Sequence, residues 1–271
     1  MKHQLKELLG TVGDSGRVTF ITGAGISAES GIPTFRGEEG YWTVGSKAYR
    51  PEELATFEAF QAMPEEVWRW YLYRRTVCVR AGPNDSHLAL ADLEEALKAR
   101  FSLITQNVDG LHLRAGSSSA RTFQVHGNID AMRSTDTSDR GIYPIPEEIG
   151  EFDRETPMTP ELFALLRAPS GVKARPHILW FDEYYEEDLY HSSRAMEAAS
   201  DCDLLVVIGT SGAASLPMHA VSAAAERGTA IIDINPQVEN PFAVFASDYS
   251  RGLSLTGTAG EWLPLLVEAL R

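Results

Sequence analysis

An α/β fold built on a doubly wound parallel sheet is what this sequence predicts, and three observations predict it. Short apolar runs, among them residues 18–22 (VTFIT), 101–105 (FSLIT) and 203–209 (DLLVVIG), alternate with helical stretches, as buried parallel strands joined by helices do. The first run stops at Gly23-Ala24-Gly25 and passes into a Ser/Ala/Glu segment able to start a helix. Several strands also end in polar sets: Gln106-Asn107-Val108-Asp109, His126-Gly127, Gly209-Thr210-Ser211 and Asn235-Pro236-Gln237. In an open α/β sheet the carboxyl ends of the strands line one crevice, so these groups should converge there.

Taken in order, residues 2–10 read as a short amphipathic helix before the first strand. Residues 38–50 carry Gly, Tyr and Trp with little periodicity, as an ordered loop does. Helices are expected over 51–62 and 64–81, with Pro51 and Pro64 at first-turn positions. Asp85 or Ser86 caps a further helix running to Lys98, and strands follow at 101–105 and 122–125. From Asn128 to about Arg175 the composition shifts to Ser, Thr, Asp and Pro, and only 160–166 looks helical. A strand returns at 177–181, then a helix to about Ser200, the strand at 203–209 and a helix over about 216–227. A strand at 229–234 and a helix from Glu261 to Arg271 close the chain.

With 271 residues, the chain can form one large domain or one domain with a sizeable insertion. A net charge of −14 disfavours extended contact with a nucleic-acid backbone. The first residues lack the apolar core of a signal peptide, and no apolar run approaches the ~20 residues of a membrane span. Cys78 and Cys202 are the only cysteines, which suits buried thiols in a reducing cytoplasm and implies no disulfide framework. The remaining histidines, His3, His87, His112, His177, His191 and His219, show no metal-ligand spacing and read as structural or exposed.

Chemistry follows from residue types. Gly23 and Gly25 permit a tight turn and close approach to a pyrophosphate, with helical backbone N–H groups behind them. Arg36 could fold back as a fixed cation. Asn107 and Asp109 alone would serve equally well as caps of a helix starting at Gly110. On the segment 68–75 (WRWYLYRR), Tyr71 and Arg74 share one helix face, where a phenol and a guanidinium could grip a carboxylate. The same spacing also suits an amphipathic helix with aromatic core positions.

On the segment Gly23–Gly37, Thr105-Gln106-Asn107-Val108-Asp109, His126-Gly127, Gly209-Thr210-Ser211 and the Asn235 strand end, the chain resembles the sirtuins, NAD-dependent protein lysine deacylases. The resemblance spans roughly residues 18 to 260 and implies a Rossmann-like sheet. It implies a core over about 1–40, 100–127 and 176–271, a helical insertion over 41–99 and a small module over 128–175. It places NAD against Gly23, Ala24, Gly25, Ser27, Phe35, Arg36, Gln106, Asn107, Asp109, Gly209, Thr210, Ser211, Asn235 and Ala259. Among these, Gln106 and Asn107 would fix the nicotinamide ribose, and Asp109 would accept from the nicotinamide carboxamide. It implies His126 and Asn107 as catalytic residues and an acyl-lysine protein or peptide as substrate, bound near Tyr71, Arg74, Trp180 and Phe181. His126 would be the general base that takes a proton from a ribose hydroxyl, and the products free lysine, nicotinamide and O-acyl-ADP-ribose. With Ala28-Glu29-Ser30-Gly31, the Tyr71/Arg74 pair resembles the branch that removes succinyl, malonyl or glutaryl groups.

The chain departs from that family in three places. Sirtuins usually carry a four-cysteine zinc ribbon after His-Gly, whereas here the first pair is replaced by Ser134-Thr135-Asp136-Thr137 and the second is absent. No structural zinc is therefore expected, and the small module should rest on Phe152, Leu162, Phe163 and Leu166. Asp182 stands after Trp180-Phe181 where the family usually has Gly, at a strand end that meets the substrate backbone. The loop after Ser211 also differs, with Gly212-Ala213-Ala214-Ser215. An NAD hydrolase or ADP-ribosyltransferase using the same pocket, or a non-catalytic NAD-sensing module, are the alternatives.

Overall fold

The computed structural model describes residues 2–33, 42–44 and 47–271. Phe35 and Arg36 lie outside the described residues, as does most of the expected loop at 38–50.

Helix α1 (Lys2–Gly10) leads into strand β1 (Val18–Thr22), which is followed by the single turn α2 (Gly25–Ala28). Strands β2 (Trp42–Val44) and β3 (Lys47–Tyr49) pair antiparallel. Helices α3 (Pro51–Leu54), α4 (Phe57–Ala62) and α5 (Pro64–Arg80) follow, with Pro51 and Pro64 in first turns and Thr56 capping α4 through Ala59 N–H. The expected 51–62 helix is thus two short helices, broken at Ala55-Thr56. Helix α6 (Asp85–Leu97) is capped by Asn84, ahead of the expected Asp85 or Ser86, because the Asn84 amide oxygen accepts from Ser86 and His87 N–H.

Next come β4 (Phe101–Thr105), α7 (Leu111–Arg114), β5 (Thr122–Gln124), β6 (Gly127–Ser134), β7 (Ile142–Pro144) and α8 (Pro160–Leu165). Strand β8 (Ala174–Ile178) precedes α9 (Glu187–Tyr190) and α10 (Ser192–Ser200). A left-handed residue, His191 at φ 52°, separates those two helices where one continuous helix was expected. The chain ends with β9 (Leu204–Ile208), α11 (Ser215–Glu226), β10 (Ala230–Asn235), α12 (Pro241–Asp248), β11 (Gly252–Thr256) and α13 (Ala259–Leu270).

The large sheet has the order β11-β10-β9-β1-β4-β5 and is parallel throughout, with β1 at its centre. One face is covered by residues of α1, α6 and α13, among them Leu5, Leu90, Leu93, Leu263 and Leu266. The other is covered by α10, α11 and α12, with Ala195, Ala220, Val221 and Phe242 against Ile21, Ile104 and Val207. Helix α6, which the sequence reading put inside the helical insertion, packs on this sheet.

A second sheet, β7-β6-β8, is antiparallel. The strand expected to return to the core at 177–181 ends at Ile178 and joins this small sheet instead. Its core is shared with α5: Ile129, Met132, Phe152 and Leu166 pack with Trp68, Tyr71 and Leu72, and Leu162 and Phe163 lie partly buried against them. The Ser134-Thr135-Asp136-Thr137 segment forms a polar turn in which Ser134 Oγ accepts from Asp136 N–H. Among the described residues, no group of three or more His, Cys, Asp or Glu side chains is placed to hold a metal.

Candidate active site

Along β1 and β9 the order of the large sheet reverses, since the chain leaves β1 toward β4 and leaves β9 toward β10. In open α/β sheets such a reversal is where a ligand crevice lies, outside the carboxyl ends of the strands, and here the exit loops of β1 and β9 touch at that point. Their contact is too close for side chains. A Cβ on Gly25 would lie 2.6 Å from Gly209 Cα, and Gly209 itself sits at φ +60°. The N–H groups of Gly23 and Gly25 donate to Ile208 and Gly209 carbonyls at 2.9 and 2.8 Å. These glycines therefore bring chain against chain, and their N–H groups are not the bare donors that the sequence suggested.

The polar strand ends meet around this seam. Gln106 Nε2 donates to Thr210 Oγ1 at 2.9 Å, joining the exits of β4 and β9. Asn235 Nδ2 donates to the Thr210 carbonyl at 3.0 Å and ties in β10. The Asn107 amide donates to the Gly23 carbonyl at 3.0 Å and to Ser27 Oγ at 3.1 Å. Ser27 Oγ in turn donates to Asp109 Oδ2 at 2.7 Å. Ser27 is 1% exposed and is the shared hydrogen-bond partner that orients Asn107 and Asp109. Asp109 Oδ1 accepts from Leu111 N–H at 2.9 Å, the capping role that its type also allowed. Burial pushes the Asp109 carboxyl upward. Ala24 is half-buried and Ser211 exposed at the rim, while Ala259 is buried in the first turn of α13.

Behind the seam lies a buried network that the sequence did not signal as part of the site. Thr22 Oγ1 donates to Thr105 Oγ1 at 2.9 Å and lies 3.0 Å from His112 Nε2. The His87 ring packs edge-on against His112 and reaches toward Ser27 Oγ. Burial pushes His112 down to about 3 and His87 to about 4, so both are neutral.

His126 sits between β5 and β6, on the rim formed by the β4 exit. Its Nδ1 lies 3.1 Å from the Gln106 carbonyl and its Nε2 lies 2.9 Å from Tyr185 Oη. A carbonyl only accepts, so Nδ1 carries the proton and Nε2 presents the lone pair. Burial pushes His126 down to about 4, with the Gln106 carbonyl opposing. Next to His126, Gly127 adopts φ +89°, and a Cβ there would stand 2.0 Å from the His177 carbonyl.

Farther along, Leu179 N–H donates to the His126 carbonyl, which binds the segment after β8 to the His126 backbone. Trp180 Nε1 donates to Tyr71 Oη at 2.8 Å, so the structure joins two of the expected substrate residues. Tyr71 is 4% exposed, and its hydroxyl already accepts from Trp180. Arg74 lies with its guanidinium 5.3 Å from the Trp70 ring centroid. Phe181 is 62% exposed, while its N–H donates to the Ala55 carbonyl. Asp182 turns onto α4 and accepts from Phe57 and Glu58 N–H at 2.7 and 3.2 Å. It is a helix cap, and Thr56 alone did not reveal that.

The Sir2 family model matches residues 23–215. The NAD-dependent protein deacylase of Leptospira interrogans serovar Lai is 39% identical over 254 residues, covering 94% of this chain and 93% of the relative. NAD-dependent protein deacylase 1 of Archaeoglobus fulgidus is 41% identical over 271 residues, covering 98% of each. A crystal structure of a Sir2 homologue in complex with NAD superposes with a TM-score of 0.79 at 36% identity, covering 98% of this chain and 93% of that one. The matched span runs from the glycine seam through His126 to the exit of β9, and the chain belongs to the Sir2 family.

Proposed function

We infer that this chain is an NAD-dependent protein lysine deacylase that moves an acyl group from lysine to ADP-ribose and releases nicotinamide. The observation that carries the reading is His126: a neutral imidazole, its proton held on Nδ1 by the Gln106 carbonyl, at the edge of the crevice that Gln106, Asn107 and Asp109 line. Mere binding of a dinucleotide needs no such base, which argues against a sensor.

The crevice suits NAD in its chemistry. Beside Asp109 it is lined by the uncharged hydrogen-bonding side chains Gln106, Asn107, Thr210 and Asn235, held by hydrogen bonds to Thr210 and to the Gly23 carbonyl. When bound, NAD supplies the ribose carbon from which nicotinamide leaves and the hydroxyl that receives the acyl group. The protein's part is positioning and proton transfer. Ser27 and Gly23 hold Asn107, Ser27 and Leu111 hold Asp109, and His126 Nε2 takes the hydroxyl proton, a contribution of ~10²–10⁴-fold for such a base. Low cysteine content and burial of both thiols support a cytoplasmic setting. Among the described residues no helix is long and apolar enough to cross a membrane.

For the acyl chain, Tyr71 and Arg74 on α5 support a preference for succinyl or malonyl over acetyl. The Tyr71 hydroxyl accepts from Trp180, which leaves its own proton to donate to a carboxylate. The test is nicotinamide release from NAD with acetyl-lysine, succinyl-lysine or no peptide. Release should depend on peptide, favour succinyl-lysine, and fall at least 100-fold in His126→Ala. Arg74→Met should cost the succinyl peptide roughly 10–100-fold in kcat/KM and spare the acetyl peptide, since a charged hydrogen bond contributes ~1.5–3 kcal/mol. Release without peptide would establish the hydrolase reading instead.

A further inference from the structure

Tyr185 lies on the segment between β8 and α9 and was marked by no motif. Its hydroxyl stands 2.9 Å from His126 Nε2, and its ring tilts against the imidazole with centroids 5.9 Å apart. Neutral imidazole has one lone pair, and with Nδ1–H turned to the Gln106 carbonyl that lone pair is on Nε2. The Tyr185 O–H is therefore the donor, and it occupies the atom on which the proposed base acts. Burial pushes the Tyr185 phenol up to about 12, so it keeps this proton at any working pH.

The placement is built into the loop. Glu183 is gripped by Arg133 and Arg175 and accepts from Trp180 N–H at 3.0 Å. Asp182 caps α4, and Leu179 is bonded to the His126 carbonyl. Anchors thus fix the segment just before Tyr185, whereas Tyr184 beside it is 87% exposed. The ring of Tyr185 packs at the edge of the cluster formed by α10 and α11.

We propose that Tyr185 is a displaceable cap on the general base: in the resting protein its phenol holds the Nε2 lone pair of His126, and the sugar hydroxyl must take its place before giving up a proton. The cap keeps the ring in the competent tautomer and couples use of the base to movement of the 184–186 segment. This rests on the reading of His126 as the base.

Tyr185→Phe keeps the ring and removes the competing donor. In ligand-free protein labelled with ¹⁵N-histidine at neutral pH, the His126 Nε2 resonance should move from that of a hydrogen-bonded acceptor toward a free lone pair, with Nδ1 still protonated. Deacylation kcat/KM should rise about three- to tenfold, the worth of one neutral hydrogen bond. In a His126→Ala background the same substitution should leave the residual rate unmoved. An unchanged Nε2 resonance overturns the cap, and so does a fall in kcat/KM, which would put the phenol among the groups that assist the reaction. Full deacylation by His126→Ala alone would overturn the base reading separately, and the resonance would still decide the contact.

Discussion

Gly25 and Gly209 show at the scale of single residues how the exits of β1 and β9 are held together. Their backbones touch, and the carbonyl of one accepts from the N–H of the other at 2.8 Å. In Gly25→Ala the added methyl would be driven into Gly209 Cα, and no flexible side chain stands between them to yield. We expect a loss of about 2 kcal/mol or more, with Tm lower by roughly 5 °C and NAD affinity reduced with it. Differential scanning fluorimetry with and without NAD checks both. Ser27 teaches a related lesson. The resemblance implied an NAD contact for it, and the structure sets it between Asn107 and Asp109 as their common partner.

At the scale of elements, the segment from Leu179 to Glu186 does what neither β8 nor α9 could do alone. It carries Trp180 to Tyr71, Asp182 to α4, Glu183 to two arginines and Tyr185 to His126. A glycine at position 182 could not supply this cap, so Asp182 fixes the segment after β8 to α4. Asp182→Ala should cost about 1 kcal/mol of stability, seen as a Tm lower by roughly 2–4 °C. It should also change KM for acyl-peptide more than KM for NAD, which steady-state kinetics at saturating co-substrate separates. The small sheet is a second element-scale device. Its apolar residues Ile129, Met132, Phe152 and Leu166 close onto α5, so the segment without zinc-ribbon cysteines is joined to the helix that carries Tyr71.

For the whole molecule, four buried histidines set the acid limit. Burial pushes His112 to about 3 and His87, His126 and His177 to about 4, from an ordinary 6.5. Their folded values lie below the unfolded value, so their contribution is complete above 6.5 and is lost as pH falls toward 4. Asp233, pushed up to about 6 by burial, and Asp109, also pushed up by burial, work in the opposite direction but are two groups against four. Stability should fall steeply between pH 6.5 and 4. A Tm series across that range would show it, and His112→Asn, which removes the most depressed group, should flatten the slope. A Tm independent of pH over that window would contradict the burial of these rings.

The parallel sheet, the glycine turn after β1 and the convergence of the β4, β5, β9 and β10 exits were legible in the sequence, whereas the contact of Gly25 with Gly209 was not. Local signals carry them: continuous apolar runs that only a strand buried on both faces tolerates, and polar sets at their carboxyl ends. Strands β6 and β7, helix α12 and strand β11 were not legible. The small sheet is half-polar and only its pairing with β8 makes its strands, while nothing in residues 241–256 separates helix from strand until β10 offers an edge. The same distinction divides the site. Gln106, Asn107, Asp109 and His126 announced themselves by type and position after strands. Tyr185, the Asp182 cap and the His87–His112 network depend on contacts between residues far apart in the chain, and those contacts arise only when the sheet and the 179–186 segment are folded together.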